Sequence, residues 1–142
     1  MIDFINNKVV IVGPTASGKS DIANELAPKI NAEIVSADSM QIYKGMDIGT
    51  GKIPESQRNV KHWGLDIVSP NNPYSAALFQ TYARKCFSDL SKRSKSCVLC
   101  GGTGFYIRAA IDDYKFPKGE QVENKIRDKY NKIAEDKGPH EL

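Results

Sequence analysis

Apolar residues along the chain fall into short continuous runs that are separated by stretches with helical spacing. The β-branched run Lys8–Val12 ends at a Gly-Pro pair, which predicts a buried strand. Ala32–Ser36 and residues 96–100 predict two further strands, and residues 62–68 predict a weaker one. Helical spacing predicts four helices, over residues 18–27, 74–90, 105–111 and 122–137. Pro28 is expected to stop or kink the first of them.

The alternation of strands and helices predicts an α/β fold, with a mostly parallel sheet flanked by helices. We expect residues 1–117 to form this core and residues 118–142 to begin a helical insertion. Sheets of this type commonly have about five strands, with the first strand near the centre. Only three strong strands are found here, so we expect an incomplete sheet whose first strand lacks one neighbour. The pattern favours a truncated protein whose apolar edge promotes self-association.

Composition narrows the class of protein without identifying it. The chain has 142 residues, of which 40% are apolar and 26% charged, as in a single soluble domain. No apolar run approaches the roughly 20 residues that a membrane helix needs. Three cysteines suggest reduced thiols and therefore a cytoplasmic location. The net charge of +3 is too small to indicate a nucleic-acid partner by itself.

The strongest chemical signal is a glycine-rich loop between the first strand and the first helix. It fits the pattern G-x-x-x-x-G-K-[ST], in which backbone N–H groups and a lysine hold adjacent phosphates while the last hydroxyl ligates Mg²⁺. The residues of this phosphate loop are Gly13, Pro14, Thr15, Ala16, Ser17, Gly18, Lys19 and Ser20. The loop predicts a polyphosphate or diphosphate site, with Ser20 as the metal ligand. It leaves open whether the ligand is ATP.

The acid that a phosphate-loop kinase places at a strand end is missing from its usual position. The strand over residues 96–100 is followed by Gly101-Gly102-Thr103-Gly104, which contains no carboxylate. Asp38 instead follows the second strand, at the edge of a parallel sheet where ligands bind. From its position alone, Asp38 is equally well interpreted as a catalytic group or as a loop cap. Residues 39–56 predict a long loop, and such loops are usually functional.

Further motifs follow the phosphate loop in a fixed order. They are Asp38-Ser39-Met40-Gln41 with Tyr43, Gly45-Met46-Asp47-Ile48-Gly49-Thr50, His62 with Leu65-Asp66-Ile67, and Gly101-Gly102-Thr103-Gly104-Phe105-Tyr106. This series resembles the tRNA dimethylallyltransferases (tRNA isopentenyltransferases), whose core is similar to that of P-loop NTPases. The resemblance extends from Val9 to about Gly138. His62-Trp63 departs from the paired histidines of the family, Gly51 departs from its usual Gly-Thr-Ala-Lys, and the family is much longer.

The resemblance implies transfer of the dimethylallyl group of dimethylallyl diphosphate to N6 of the adenine just 3′ of the anticodon in tRNA. The phosphate loop would hold the diphosphate leaving group, with Mg²⁺ on Ser20. Asp38 would accept the N6 proton, and Ser39, Met40 and Gln41 would line the pocket for the base. Thr103 and Arg127 would contact the tRNA. Partners would be tRNA and dimethylallyl diphosphate, without a membrane, and the complete enzyme is expected to be a monomer.

Two other functions remain open at this point. One is an ATP-dependent small-molecule kinase that uses the same loop, and the other is an inactive fragment that binds phosphate or tRNA. Among single residues, Cys97 and Cys100 are expected to be small buried apolar residues, because residues three apart on a strand face opposite sides. Phe105 is expected in the core, His62 has no assigned role, and residues 92–95 are interpreted as a solvated basic helix end.

Overall fold

The computed structural model describes residues 8–116 and 125–138, which form a parallel sheet with helices on both faces. In chain order its elements are β1 (Lys8–Val12), α1 (Lys19–Lys29), β2 (Ala32–Ser36), a 3-10 turn (Glu55–Gln57), β3 (His62–Trp63), α2 (Ala76–Lys92), β4 (Ser96–Gly101), α3 (Gly104–Ile111) and α4 (Lys125–Lys137). The boundary predicted at residue 118 lies outside the described residues. None of the helices in these two ranges is long and apolar enough to cross a membrane.

The strand order is β1-β4-β2-β3, and every pair is parallel, as the sequence predicts. β4 is central because Val98 aligns with Val9 of β1 on one side and with Ile34 of β2 on the other. Within the described part of the sheet, β1 is therefore an edge strand. Its residue Val12 is 63% exposed, which confirms the expectation of a first strand with one neighbour.

The sheet separates two apolar clusters, one on each face. α1 packs through Ala23 and Ala27 on the face that carries Cys100. α2 and α3 pack on the other face, which carries Cys97. Both thiols are buried and free, so the prediction that they are apolar residues on opposite faces is confirmed. Alternating side-chain direction along β4 is the cause.

α1 differs from its predicted end, because the helix includes Pro28 and continues to Lys29. A proline has no N–H to donate to the carbonyl four residues earlier, here that of Asn24. The side chain of Asn59 takes this place, since its Nδ2 donates to the Asn24 carbonyl at 3.1 Å. A contact distant in sequence thus satisfies the acceptor that Pro28 leaves, and the helix does not stop at the proline.

The prediction that Phe105 belongs to the core is wrong. Its side chain is 50% exposed and packs edge-on against Tyr114 and Phe116. The next residue, Tyr106, is buried instead and stacks on Phe79 with ring centroids 4.4 Å apart. Neighbouring residues of a helix point in different directions, and in α3 it is Tyr106, not Phe105, that points toward α2.

β3 contains two residues, where the pattern predicts a strand over 62–68. Gly64 has φ 82° and Asp66 has φ 56°, and such left-handed residues end the extended conformation. Strand-like pairing resumes only at Val68, whose isolated parallel bridge with Tyr43 lies outside the four-stranded sheet. A side chain on Gly64 would come within 2.8 Å of the Ser36 carbonyl oxygen, so this tight passage requires glycine.

The basic segment at the end of α2 is exposed at residues 92–94, as the sequence predicts, but two of its cations also pair with a buried acid. Glu33 of β2 is buried, and Arg93 donates to both of its carboxylate oxygens at 2.8 and 2.9 Å. Lys95 and the indole N–H of Trp63 complete the shell at 2.8 Å each. The hydrogen bonds from Arg93 are the largest cause that lowers the pKa of Glu33 to about 2. The segment therefore neutralises a buried acid.

Replacing Glu33 with glutamine should destabilise the fold by about 2 kcal/mol at pH 7, because two cations lose their charged partner. The depressed pKa stabilises the parent above the unfolded value of 4.5, and this contribution disappears as the pH falls from 4.5 toward 2. Denaturant unfolding at pH 7 and at pH 3 should show a smaller difference for Glu33→Gln than for the parent. Equal stability of the two chains at pH 7 would contradict this, and Glu25→Gln on exposed α1 is the control.

The edge of β1 should make a chain of these 142 residues self-associate. An unpaired apolar strand offers a row of backbone donors and acceptors to another copy. Val10→Lys, on the exposed side of β1, should lower the association constant by about tenfold or more. Leu78→Lys, on an exposed position of α2, should leave association unchanged. Sedimentation over a range of concentrations measures both, and a parent chain that stays monomeric throughout would refute the expectation.

Candidate functional site: a phosphate loop and an acidic turn

The phosphate loop connects the end of β1 with the start of α1 and turns through left-handed residues. Ala16 has φ 62° and Gly18, the residue before α1, has φ 79°. A side chain on Gly13 would lie 2.8 Å from the Ser17 hydroxyl. Residues 14–18 are exposed to solvent. Such a turn collects backbone N–H groups into one concavity beside the positive end of a helix, which suits an anion.

Lys19 lies folded back over this loop. Its Nζ donates to the Pro14 carbonyl at 2.9 Å, which is a neutral acceptor within the loop itself. A Cβ on the neighbouring Gly102 would stand at an ordinary contact distance of 3.9 Å from the Lys19 Nζ, but only 3.2 Å from the Gly13 carbonyl oxygen at the base of the loop. A single weak carbonyl partner is readily exchanged for a phosphate oxygen, because charge-assisted bonds to phosphate are the stronger ones. Lys19 is thus positioned as a mobile cation for the loop.

The ends of β2 and β4 meet closely beside the loop. A Cβ on Gly101 would collide with the Ala37 carbonyl, so this crossing requires glycine. Ala37 donates to the Cys100 carbonyl at 2.7 Å, and Thr103 donates to the Ala37 carbonyl at 3.2 Å. The Gly-Gly-Thr-Gly motif therefore has a structural reason: it lets the residues after β4 lie against the residues after β2.

Asp38 begins the turn that follows β2. Its Oδ1 accepts hydrogen bonds from the backbone N–H of Met40 at 2.9 Å and of Gln41 at 3.3 Å. The interpretation of Asp38 as a loop cap is confirmed by these bonds. Thr103 supports the same turn, because its Oγ1 accepts from the Ser39 N–H at 2.9 Å and lies 3.2 Å from the Ser39 hydroxyl. The acidic turn is therefore held from both of its sides.

Phosphate loop and acidic turn open into one cleft of about 300 Å³. The cleft is lined by Thr15, Ala16, Ser17, Gly18, Lys19, Ser20, Asp21, Asp38, Gln41, Thr50, Gly51, Lys52, Ile53, Pro54 and Gln57. Some of the predicted site residues do not line the cleft. Gly13 and Pro14 form the base of the phosphate loop, and Ser39 belongs to the acidic turn, where it hydrogen-bonds with Thr103. Met40 is 47% exposed, and Arg127 lies at an exposed position of α4 and does not line the cleft.

Another part of the cleft lining comes from residues 50–57, which we call the facing wall. Sequence reasoning assigned no role to these residues. Gln41 Nε2 donates to the Thr50 carbonyl at 2.9 Å, and Asn24 Nδ2 donates to the Gln57 carbonyl at 2.8 Å. Irregular segments of this kind carry no periodic signal. The signals available from the sequence were the unusual length of the loop over 39–56 and the family motif that runs through Thr50 and Gly51.

His62 lies behind the cleft and not in it. Its Nδ1 is 2.9 Å from the Val60 carbonyl, and it lines a small cavity of about 20 Å³ together with Ser20, Ser36 and Gln41. Burial is the main cause that lowers the pKa of His62, which favours the neutral ring at pH 7. The described residues contain no group of three His, Cys, Asp or Glu side chains that could hold a metal ion by themselves.

Comparison with protein families identifies the chain. The model described as IPP transferase matches residues 41–142, and the model described as isopentenyl transferase matches residues 6–61. The chain belongs to the IPP transferase family. The motifs around Asp38 and Gly101 that suggested this family lie in the cleft or directly behind it. The sequence resemblance is thereby confirmed, and so is the P-loop type of parallel sheet.

Individual members of the family give the same result. The tRNA dimethylallyltransferase of Caldicellulosiruptor saccharolyticus is 49% identical over 132 residues, and that of Carboxydothermus hydrogenoformans is 47% identical over 131. Each match covers 92% of this chain and 42% of the relative. The full-length tRNA isopentenylpyrophosphate transferase structure from Bacillus halodurans has a TM-score of 0.76 at 36% identity, covering 93% of this chain and 44% of its own. The chain thus spans about two fifths of its relatives.

Replacing Lys19 with alanine should weaken binding of inorganic pyrophosphate in the presence of Mg²⁺ by roughly 10- to 100-fold. A charge-assisted phosphate contact contributes about 1.5–3 kcal/mol, which corresponds to this range. Titration calorimetry of this chain measures the change. Lys29→Ala, at the exposed far end of the same helix, is the matched control and should bind as the parent does. Equal affinity of Lys19→Ala and Lys29→Ala would remove the phosphate role from Lys19.

Proposed function

We propose that the complete protein transfers the dimethylallyl group of dimethylallyl diphosphate to N6 of the adenine just 3′ of the anticodon in tRNA. The observation that carries this proposal is the shared cleft, which both the phosphate loop and Asp38 line. A reaction that releases diphosphate and removes a proton from an amine needs both groups at one site. The names of the relatives, tRNA dimethylallyltransferases, support the same reaction.

The phosphate loop would bind the diphosphate and stabilise it as the leaving group. Backbone N–H groups of the turn through Ala16 and Gly18 would donate to its oxygens, and Lys19 would exchange the Pro14 carbonyl for a phosphate oxygen. Ser20 fits Mg²⁺, since it lines the cleft at the start of α1 and Mg²⁺ usually combines few protein ligands with substrate phosphates. When bound, Mg²⁺ would neutralise the negative charge that develops as the C–O bond breaks.

Asp38 would act as the general base. As the adenine N6 forms a bond with the allylic carbon, the nitrogen loses one proton, and the Asp38 carboxylate would accept it. The two N–H bonds to Oδ1 orient the carboxylate from the side of its own turn. The residues that form this turn, Ser39, Met40 and Gln41, would line the space for the base, and Thr103 would hold the turn. Arg127 of α4 would contact the tRNA.

The base must leave its stack in the tRNA to reach Asp38, because the carboxylate lies inside a cleft. Closure of such a cleft around the base would exclude water and protect the allylic group from hydrolysis. The part of the family that lies beyond the length of this chain would contribute to that closure. The complete protein is expected to act as a monomer in the cytoplasm.

An ATP-dependent kinase is supported less well by the same site. β4 ends in Gly101, and Gly102 and Thr103 follow it, so the position next to the phosphate loop carries no carboxylate for the metal. A fragment that binds phosphate or tRNA without turnover is the other alternative. Such a fragment would bind pyrophosphate with the same affinity but would transfer no dimethylallyl group. Measuring both the affinity and the transfer therefore distinguishes it from the enzyme.

In a complete enzyme that contains these residues, Asp38→Asn should slow single-turnover transfer by about 10²- to 10⁴-fold, the usual effect of losing a general base. Asparagine retains an Oδ1 that can cap the turn, so the fold and the affinity for diphosphate should stay close to those of the parent. Rapid quench of dimethylallyl transfer to tRNA measures the rate.

Asp113→Asn, which changes an exposed carboxylate outside the cleft, is the matched control. A parent-like rate for Asp38→Asn would limit Asp38 to its role as a cap. Tighter binding of ATP than of dimethylallyl diphosphate by the complete parent enzyme would favour the kinase.

A further inference from the structure

Lys52 lies in the facing wall and is almost completely buried, with 4% of its side chain exposed. A lysine in a phosphate-binding cleft is usually a phosphate ligand, as we propose for Lys19. Three partners surround the Lys52 ammonium, however. They are Asp47 Oδ1 at 2.7 Å, Asp66 Oδ1 at 2.8 Å and the Tyr43 carbonyl at 3.1 Å.

An ammonium group has three N–H donors, and these three acceptors use all of them. Lys19 differs, because its ammonium donates to the neutral carbonyl of Pro14 and not to a carboxylate. A phosphate oxygen could reach Lys52 only by displacing one of two carboxylates. Burial by itself lowers the pKa of Lys52, but the hydrogen bonds to Asp47 and Asp66 outweigh it and hold the pKa above its ordinary value. The cation is therefore already neutralised locally.

The partners of Lys52 belong to segments that are separate in the chain. Asp47 and Tyr43 precede the facing wall, whereas Asp66 follows β3. Asp66 also donates its backbone N–H to the Gln41 carbonyl at 3.2 Å. Lys52 therefore joins the wall to both segments that support the acidic turn. Backbone hydrogen bonds already join residues 41–44 to residues 66–68, for example from Lys44 to the Val68 carbonyl at 2.9 Å, and Lys52 attaches the wall to this pair of segments.

A chain of hydrogen bonds continues from the wall to the end of β2. The Thr50 carbonyl, two residues before Lys52, accepts from Gln41 Nε2 at 2.9 Å. The other end of the same amide, Gln41 Oε1, accepts from the Ser36 hydroxyl at 2.9 Å. A displacement of the wall would remove the acceptor of Gln41 and release a residue of the acidic turn.

We propose that Lys52 is a positioning residue, which fixes the facing wall and, through Thr50 and Gln41, the acidic turn, without contacting the diphosphate. The inference rests on the proposed function only for its activity readout. It predicts that removing the ammonium loosens one side of the cleft and leaves the phosphate loop unchanged. A direct phosphate ligand predicts the opposite pattern.

Hydrogen exchange and pyrophosphate titration of this chain distinguish the two roles. In Lys52→Met, amide exchange over residues 43–53 should accelerate by about tenfold or more, while exchange over residues 13–20 stays unchanged. The affinity for pyrophosphate with Mg²⁺ should remain within about threefold of the parent, in contrast to Lys19→Ala. Unchanged exchange over 43–53, or a loss of affinity as large as that of Lys19→Ala, would overturn the proposal.

Two further variants keep the test decisive. Lys52→Arg retains the charge and should restore most of the exchange protection. Asp47→Asn changes a side chain that is 66% exposed, so it should fold even where Lys52→Met does not. It should accelerate exchange over the same residues, and unchanged exchange in this variant would also count against Lys52. Lys44→Met, at an exposed position of the same loop, is the matched control.

In the complete enzyme, Lys52→Met should lower kcat for transfer to tRNA by about 10-fold or more, with the KM for dimethylallyl diphosphate unchanged. A raised KM with an unchanged kcat would indicate a diphosphate ligand instead. If the parent enzyme transfers no dimethylallyl group at all, the proposed function fails, and the exchange experiment still decides the role of Lys52.

Discussion

The close approach of two backbones, at Ala37 after β2 and at Gly101 in β4, is the constraint on which the site depends. No side chain can stand between them, and the hydrogen bonds across this point join Ala37 to Cys100 and to Thr103. Because β1, β4 and β2 are adjacent and parallel, their carboxyl ends meet at the same edge. The approach brings the acidic turn of Asp38 close to the phosphate loop, and the cleft results from this proximity.

Charge in the cleft is divided between groups with different mobility. Lys19 has one exchangeable carbonyl partner, whereas Lys52 has two carboxylates and a carbonyl. Under the two proposals above, Lys19 would bind an incoming anion, and Lys52 would preserve the shape of the cleft that receives it. Asp38 has a structural contact and a place in the cleft at once. Its Oδ1 accepts the hydrogen bonds that hold its turn, and the residue also lines the cleft. Preorganised groups of this kind need little rearrangement during a reaction.

Local sequence signals predicted most of the strands and helices, the phosphate loop and the capping of a turn by Asp38, because each depends on neighbouring residues. Contacts between distant segments were not predictable in the same way. Asn59 satisfies the carbonyl that Pro28 leaves, so α1 passes the proline, and Glu33 attracts Arg93 and Lys95 across about 60 residues of chain. Phe105 and Tyr106 are both aromatic, and only the rotation of α3 decides which one is buried. Lys52 was visible only as the last residue of the Gly-Thr-Ala-Lys family motif, and its structural role was not predictable, since its two carboxylates belong to different loops.

Amide chemical shifts of this chain, titrated with Mg²⁺ and inorganic pyrophosphate, test the central claim most directly, namely that the phosphate loop and the acidic turn share one anion-binding cleft. The largest changes should occur at residues 15–20, followed by residues 38–41 and 50–52 across the cleft. Changes concentrated instead in the groove formed by Lys8, Ser91 and Lys95, at the opposite end of the sheet, would contradict the account.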